Sequence, residues 1–99
     1  MLEIRVGDQG QIVLSGRFDA TQAEHADAAL SKVQGRCVLD LRDLDYISSL
    51  GLGVLLKAHK RLSASGGGVV LTHLQPKIRD VLRFAGFDRL FEIVEGELS

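Results

Sequence analysis

Tryptophan is absent from this 99-residue sequence, and cysteine, proline and methionine occur once each. A lone Cys37 cannot close an internal disulfide, and no secretory leader pattern opens the chain, so a reducing cytoplasm is the expected compartment. Four Phe and one Tyr are too few for an aromatic stacking surface. No apolar run approaches the ~20 residues a helix needs to cross a bilayer, which argues against direct membrane insertion. Charge of one sign is also lacking: twelve Lys and Arg against thirteen Asp and Glu leave a net −1 and a pI near 6.3. That balance argues against a nucleic-acid partner. What remains, 45% hydrophobic and 25% charged, suits one compact domain over residues 1–99 with a modest aliphatic core.

The pattern reads as strand, strand, helix, strand, helix, strand, helix, strand. Ile4 and Val6 share a face of the first strand, Gly7–Gly10 is a turn, and Ile12-Val13-Leu14 continues a hairpin. Asp19 is placed as a helix N-cap, with Gln22 three residues on as in a capping box. Ala23, Ala26, Ala29, Leu30 and Val33 follow at helical spacing, and Gly35 is the expected stop. Cys37 to Leu41 is nearly continuously apolar, the mark of a parallel strand covered on both faces. The segment 42–48 is polar at its start and reads as a loop leading into a second helix that runs through Val54, Leu55, Ala58 and Leu62 to about Ser63. Lys57, His59, Lys60 and Arg61 lie on its outer face. After the loop at 65–68 come a strand from Val69, a third helix opened by Gln75-Pro76 and stopped by Gly86, and a last strand at Leu90–Val94. Alternating strands and helices imply an α/β sheet.

Most catalytic chemistries find no support. His25, His59 and His73 fall on different elements without ligand partners at i+3 or i+4, so no metal site is expected and the histidines read as surface groups. Cys37 reads as a buried small hydrophobe. There is no Gly-x-Ser-x-Gly elbow, Gly66-Gly67-Gly68 lacks the Lys-Ser/Thr of a phosphate loop, and Gly51-Leu52-Gly53 lacks the third glycine of a dinucleotide site. No cofactor is implied. A small enzyme or nucleotide-binding domain rests only on the generic α/β pattern.

One stretch differs. In Leu41-Arg42-Asp43-Leu44-Asp45-Tyr46-Ile47-Ser48-Ser49-Leu50-Gly51-Leu52-Gly53-Val54-Leu55-Leu56, a buried strand is expected to end, a loop to carry a hydroxyl, and an aliphatic helix to begin at once. A serine there has a plain role as N-cap. The same place suits a phosphate, because free backbone N–H groups and the positive end of the helix dipole stabilise an anion. Two glycines in one turn, each costing ~1 kcal/mol against Ala, suggest that closeness of approach outweighs helix propensity.

The chain resembles the STAS domains, specifically the bacterial anti-sigma factor antagonists. Gly16-Arg17-Phe18-Asp19 is similar to the family's turn before the first helix. Val38-Leu39-Asp40-Leu41 with Leu44 and Tyr46 is similar to its central strand and exit loop, and Ser49-x-Gly51-Leu52-Gly53-Val54-Leu55 to its phosphorylation segment. Gly67-Gly68, Pro76, Val81-Leu82, Gly86-Phe87 and Leu90-Phe91-Glu92-Ile93 follow its second half. The resemblance implies a single STAS-like domain: a central mixed sheet of about five strands with three or more helices mainly on one side.

It also implies a role, that of a non-enzymatic switch. Such a domain binds a serine-kinase anti-sigma factor of the histidine-kinase-like ATPase fold and is released when that kinase phosphorylates it. A metal-dependent serine phosphatase resets the cycle. Register with the family makes Ser49 the expected acceptor and Ser48 the alternative. Ser48 stands where the family has Asp, and Leu50 where it has a second hydroxyl. Asp19, Ser48, Ser49, Leu50, Gly51, Leu52 and Gly53 are the expected partner-binding residues, although Asp19 also fits a plain helix cap and Leu52 plain core packing. The free domain is expected to be a monomer. The competing role within the family is an accessory subunit of a membrane lipid or anion transport complex.

Overall fold

The computed structural model describes residues 1–94; the last five residues of the expected domain lie outside the described residues. Among the described residues there are six strands, β1 (Leu2–Val6), β2 (Ile12–Phe18), β3 (Arg36–Asp40), β4 (Leu44–Ile47), β5 (Gly68–Thr72) and β6 (Glu92–Val94). Three α-helices join them: α1 (Ala23–Leu30), α2 (Ser49–Ala64) and α3 (Pro76–Phe84). The sheet order is β1-β2-β3-β5-β6, with β4 pairing β2 beyond the end of β3. β1 is antiparallel to β2, and the other pairs are parallel.

From β2 through β3 and β5 to β6 each crossover steps one way across the sheet. Right-handed crossovers therefore put every helix on one face. The core confirms this. Leu14, Leu39, Val69 and Leu71 of the strands cluster with Ala26 and Leu30 of α1, Leu55 and Leu62 of α2, and Ile78 and Leu82 of α3. The alternate strand residues Val13 and Val70 are also buried but stand outside that cluster, on the face without helices.

Three expectations need correction. The segment 42–48 is not a loop throughout, because β4 lies inside it. Its four residues are buried, exposed, exposed, buried, so they lack the alternation that marks a strand. β4 is held instead by β2, through a register shift between Gly16 and Arg17. The first helix is shorter at both ends than its periodicity suggests. A 3-10 turn at Ala20–Gln22 takes the place of its first residues, and it stops at Leu30, not near Gly35. Arg61 of α2 donates to the carbonyls of Leu30 and Val33 (2.8 Å each), so the helix end is satisfied from another element. Nor are His59 and His73 simple surface groups. His59 packs edge-on to Phe91 and its Nδ1 accepts from Val69 N–H (3.0 Å), while His73 sits in a polar cluster described below.

The last helix ends as expected. Gly86 (φ 77) follows its cap, and Phe87 N–H donates back to the Leu82 carbonyl (2.8 Å).

Candidate functional site

The site grows from the paired ends of β2 and β4. Arg17 faces Tyr46 and Phe18 faces Ile47 in register, and Ser48 N–H donates to the Phe18 carbonyl (2.9 Å). The start of α2 is thereby fixed against the residue that precedes Asp19. Above this seam the Arg17 guanidinium lies 4.3 Å from the centre of the Tyr46 ring.

Ser48 and Ser49 are neighbours with different duties. Ser48 is extended (φ −85, ψ 170), half-buried, and its Oγ accepts from Gly51 N–H (3.1 Å); it is the N-cap of α2. Ser49 is the first residue of the helix and is exposed. Leu50 beside it is 57% exposed, a large apolar side chain left in water. The first turn of α2 holds no acidic residue, so nothing within it offsets the positive end of the helix dipole.

The two glycines part company. Gly51 is buried, and a Cβ there would stand 2.9 Å from Cγ1 of Ile47 and 3.1 Å from the Phe18 ring. Its glycine lets α2 press onto the core, not onto a visitor, which corrects the reading of both glycines as access points. Leu52, 4% exposed, belongs to the core as well. At Gly53 a Cβ would meet nothing within 4 Å, and that residue is exposed.

Leu50 and Gly53 open onto a shallow groove of about 280 Å³ between α1 and α2, walled also by Ala23, Glu24, Asp27 and Lys57. Lys57 and Asp27 close it with an ion pair (2.9 Å). The sequence reading missed Ala23, Glu24, Asp27 and Lys57 as groove residues. Leu50, Gly53 and Lys57 do follow one helical stripe, but only the crossing of α1 over α2 shows that the stripe faces a gap.

Asp19 caps the 3-10 turn. Its Oδ1 accepts from the Thr21 hydroxyl (2.6 Å) and from Thr21 N–H (3.2 Å). The Thr21 hydroxyl bond holds the carboxyl below its ordinary range, desolvation opposes it, and the Thr21 N–H, the chain's amino terminus and Arg17 add to the lowering. Gln22 bonds Thr21 through its side chain, so the capping box is not closed.

A second polar cluster steadies β4 from behind. His73, in the left-handed region at φ 55, accepts at Nε2 from Arg42 (2.9 Å), so its Nδ1 carries the proton facing the Thr72 hydroxyl (3.0 Å) and Asp40 (3.6 Å). Arg42 N–H donates to Asp40 (3.0 Å), and Gln75 donates to the carbonyls of Arg42 and Leu44. Among the described residues no three His, Cys, Asp or Glu groups gather in a metal-binding cluster, and no helix is long and apolar enough to cross a membrane. Burial pushes the Cys37 thiol up, away from nucleophilic use.

Comparison with known proteins gives one family model over nearly the whole chain: "Mlab, STAS domain" matches residues 2–95. A putative anti-sigma factor antagonist, BtrV of Bordetella bronchiseptica, is 40% identical over 87 residues, covering 84% of this chain and 75% of the relative. The anti-sigma-B factor antagonist of Listeria monocytogenes is 31% identical over 98 residues, covering 93% and 86%. The unphosphorylated form of the anti-sigma factor antagonist SpoIIAA has the same fold, with a TM-score of 0.76 at 19% identity over 98% of this chain and 89% of that one.

Proposed function

The chain belongs to the STAS family, and on that premise we propose that it is an anti-sigma factor antagonist switched by phosphorylation of Ser49. It binds a serine-kinase anti-sigma factor through Ser49, Leu50, Gly53 and the adjoining groove, and the kinase's own phosphoryl transfer ends the complex. A metal-dependent phosphatase restores the hydroxyl. The relatives from Bordetella and Listeria carry the antagonist name, which supports the class of role.

The observation that carries the choice of residue is the division of labour between the serines. The Ser48 oxygen is occupied by Gly51 N–H, whereas Ser49 is exposed at the first helical position. A phosphate adds about −1.5 to −2 charge at neutral pH. On Ser49 it meets a favourable helix dipole within the domain. At a closed interface it must be desolvated or expelled. A loss of ~3 kcal/mol weakens binding more than a hundredfold, without any change of fold.

The test is incubation with the co-purifying kinase and ATP, followed by mass mapping. Phosphate on Ser49 in the wild type and in Ser48→Ala, and none in Ser49→Ala, is the expected pattern. Incorporation that persists in Ser49→Ala and vanishes in Ser48→Ala overturns the assignment. Stable co-purification with a transporter ATPase, and with no kinase, overturns the role.

A further inference from the structure

β1 is an edge strand, bonded to β2 on one side only. In an antiparallel ladder, successive residues direct their backbone groups to opposite sides. The Met1 carbonyl accepts from Arg17 N–H (2.9 Å) and Gly7 N–H donates to the Gln11 carbonyl (2.7 Å), so odd-numbered residues face β2. Leu2, Ile4 and Val6 therefore turn their N–H and C=O groups to the open edge. Their side chains share the helix-covered face, where Leu2 is buried, Ile4 is half-buried and Val6 is 67% exposed. Glu3 and Arg5 stand exposed on the bare face, and neither forms an ion pair among the described residues.

The segment Leu2-Glu3-Ile4-Arg5-Val6 is complementary to its own reverse. Two copies set antiparallel about a two-fold axis at Ile4 place Ile4 against Ile4, Leu2 against Val6, and Glu3 against Arg5 at two symmetric positions. The same register brings the outward backbone groups of Leu2, Ile4 and Val6 into hydrogen-bonded pairs with their counterparts. A shift one way sets Glu3 against Glu3, and a shift the other way sets Arg5 against Arg5, so like charges disfavour the neighbouring registers. Charged side chains on an edge strand commonly keep it from pairing with another copy; here one charge of each sign is placed so that a two-fold pairing brings opposite charges together.

We propose that β1 is a self-association surface, through which two copies of this domain join into a two-fold dimer with one continuous sheet. The contact is isologous and closes on itself, so it does not propagate into fibres. A five-residue strand buries well under ~1,000 Å², so the dimer is weak and reversible, with a dissociation constant on the order of 0.1–1 mM. This departs from the expectation of a monomer and uses none of the residues around Ser49.

Sedimentation equilibrium of the full chain from about 10 μM to about 2 mM, spanning the expected constant, reads the dimer directly. Glu3→Arg and Arg5→Glu should each raise the dissociation constant by roughly tenfold, since both symmetric pairs turn repulsive. Mixing the two variants sets the paired positive charges of one chain against the paired negative charges of the other, and should restore wild-type association. The double swap E3R/R5E within one chain should restore it too. Recovery on mixing also shows that the single variants are folded. A wild type that stays monomeric throughout the range overturns the proposal. So do single variants that associate like the wild type, and species that grow beyond a dimer.

Discussion

Two helical segments begin side by side at one end of the sheet, and they begin differently. The turn leading to α1 is capped by a carboxylate, Asp19, and Glu24 adds a second negative charge in the helix's first turn. The start of α2 is capped by a hydroxyl, Ser48, and its first turn is free of acidic residues. At the first, the exposed N–H groups already have anionic company; at the second, the dipole is unopposed. The contrast teaches why charge can be added at Ser49 without unfolding the domain. It also explains why such a charge would act on what docks there, where burial next to another protein removes the solvent that makes it tolerable.

The largest way to break the contrast is at Phe18, which precedes Asp19 in the chain and packs beneath Gly51 of α2. Gly51→Val adds a side chain whose Cβ alone would stand 2.9 Å from Ile47 and 3.1 Å from the Phe18 ring. Overpacking there should cost about 2–3 kcal/mol, whereas Gly53→Val, built into open space, should cost nothing measurable. Chemical denaturation of the two variants reads the difference. Equal midpoints for both would mean that α2 does not press on Phe18.

A smaller effect separates the two serines. Ser48→Ala should lose about 1 kcal/mol with its cap. Ser49→Asp should gain about 0.3–1 kcal/mol, because it supplies the missing charge at the helix start. In a Ser48→Asp background that gain should shrink, since the start of α2 then resembles the start of α1. Denaturation curves for the single and double variants test the coupling, and a gain of undiminished size in the double variant would sink the dipole account.

Much of this was legible in the sequence, for reasons that differ by element. The start and end of α2 and the start of α3 at Pro76 follow from cap chemistry and periodicity, which are local. β4 was hidden because Leu44–Ile47 owes its strand form to β2, a partner far away in sequence. The early end of α1 was hidden for the same reason, since Arg61 supplies the bonds that make stopping at Leu30 cheap. At the site, the sequence placed both serines at the helix start but treated Gly51 and Gly53 alike. Only packing tells them apart, because the difference lies in what Phe18 and Ile47 do behind one of them. The groove between α1 and α2 depends on how two helices cross, and no spacing within either helix encodes that.

The finest distinction between the two starts is their response to acid. A hydroxyl cap does not titrate, but Asp19 does, and its carboxyl is held below the ordinary value of 3.8 chiefly by the Thr21 hydroxyl. A native carboxyl that binds its proton less readily than the unfolded one adds stability above that ordinary value. The contribution disappears as pH falls through the lowered native value. Asp19→Asn keeps a capping oxygen and removes the titration, so its stability difference from wild type should narrow on going from neutral pH to below pH 3.8. NMR titration of the Asp19 carboxyl isolates the cause. Thr21→Ala should move its pKa back up toward the ordinary range, and Ser48→Ala should leave it where it is. If Ser48→Ala moved it as much as Thr21→Ala, the two starts would be a single electrostatic unit. A phosphate on Ser49 would then be felt at α1 as well as at whatever docks beside it.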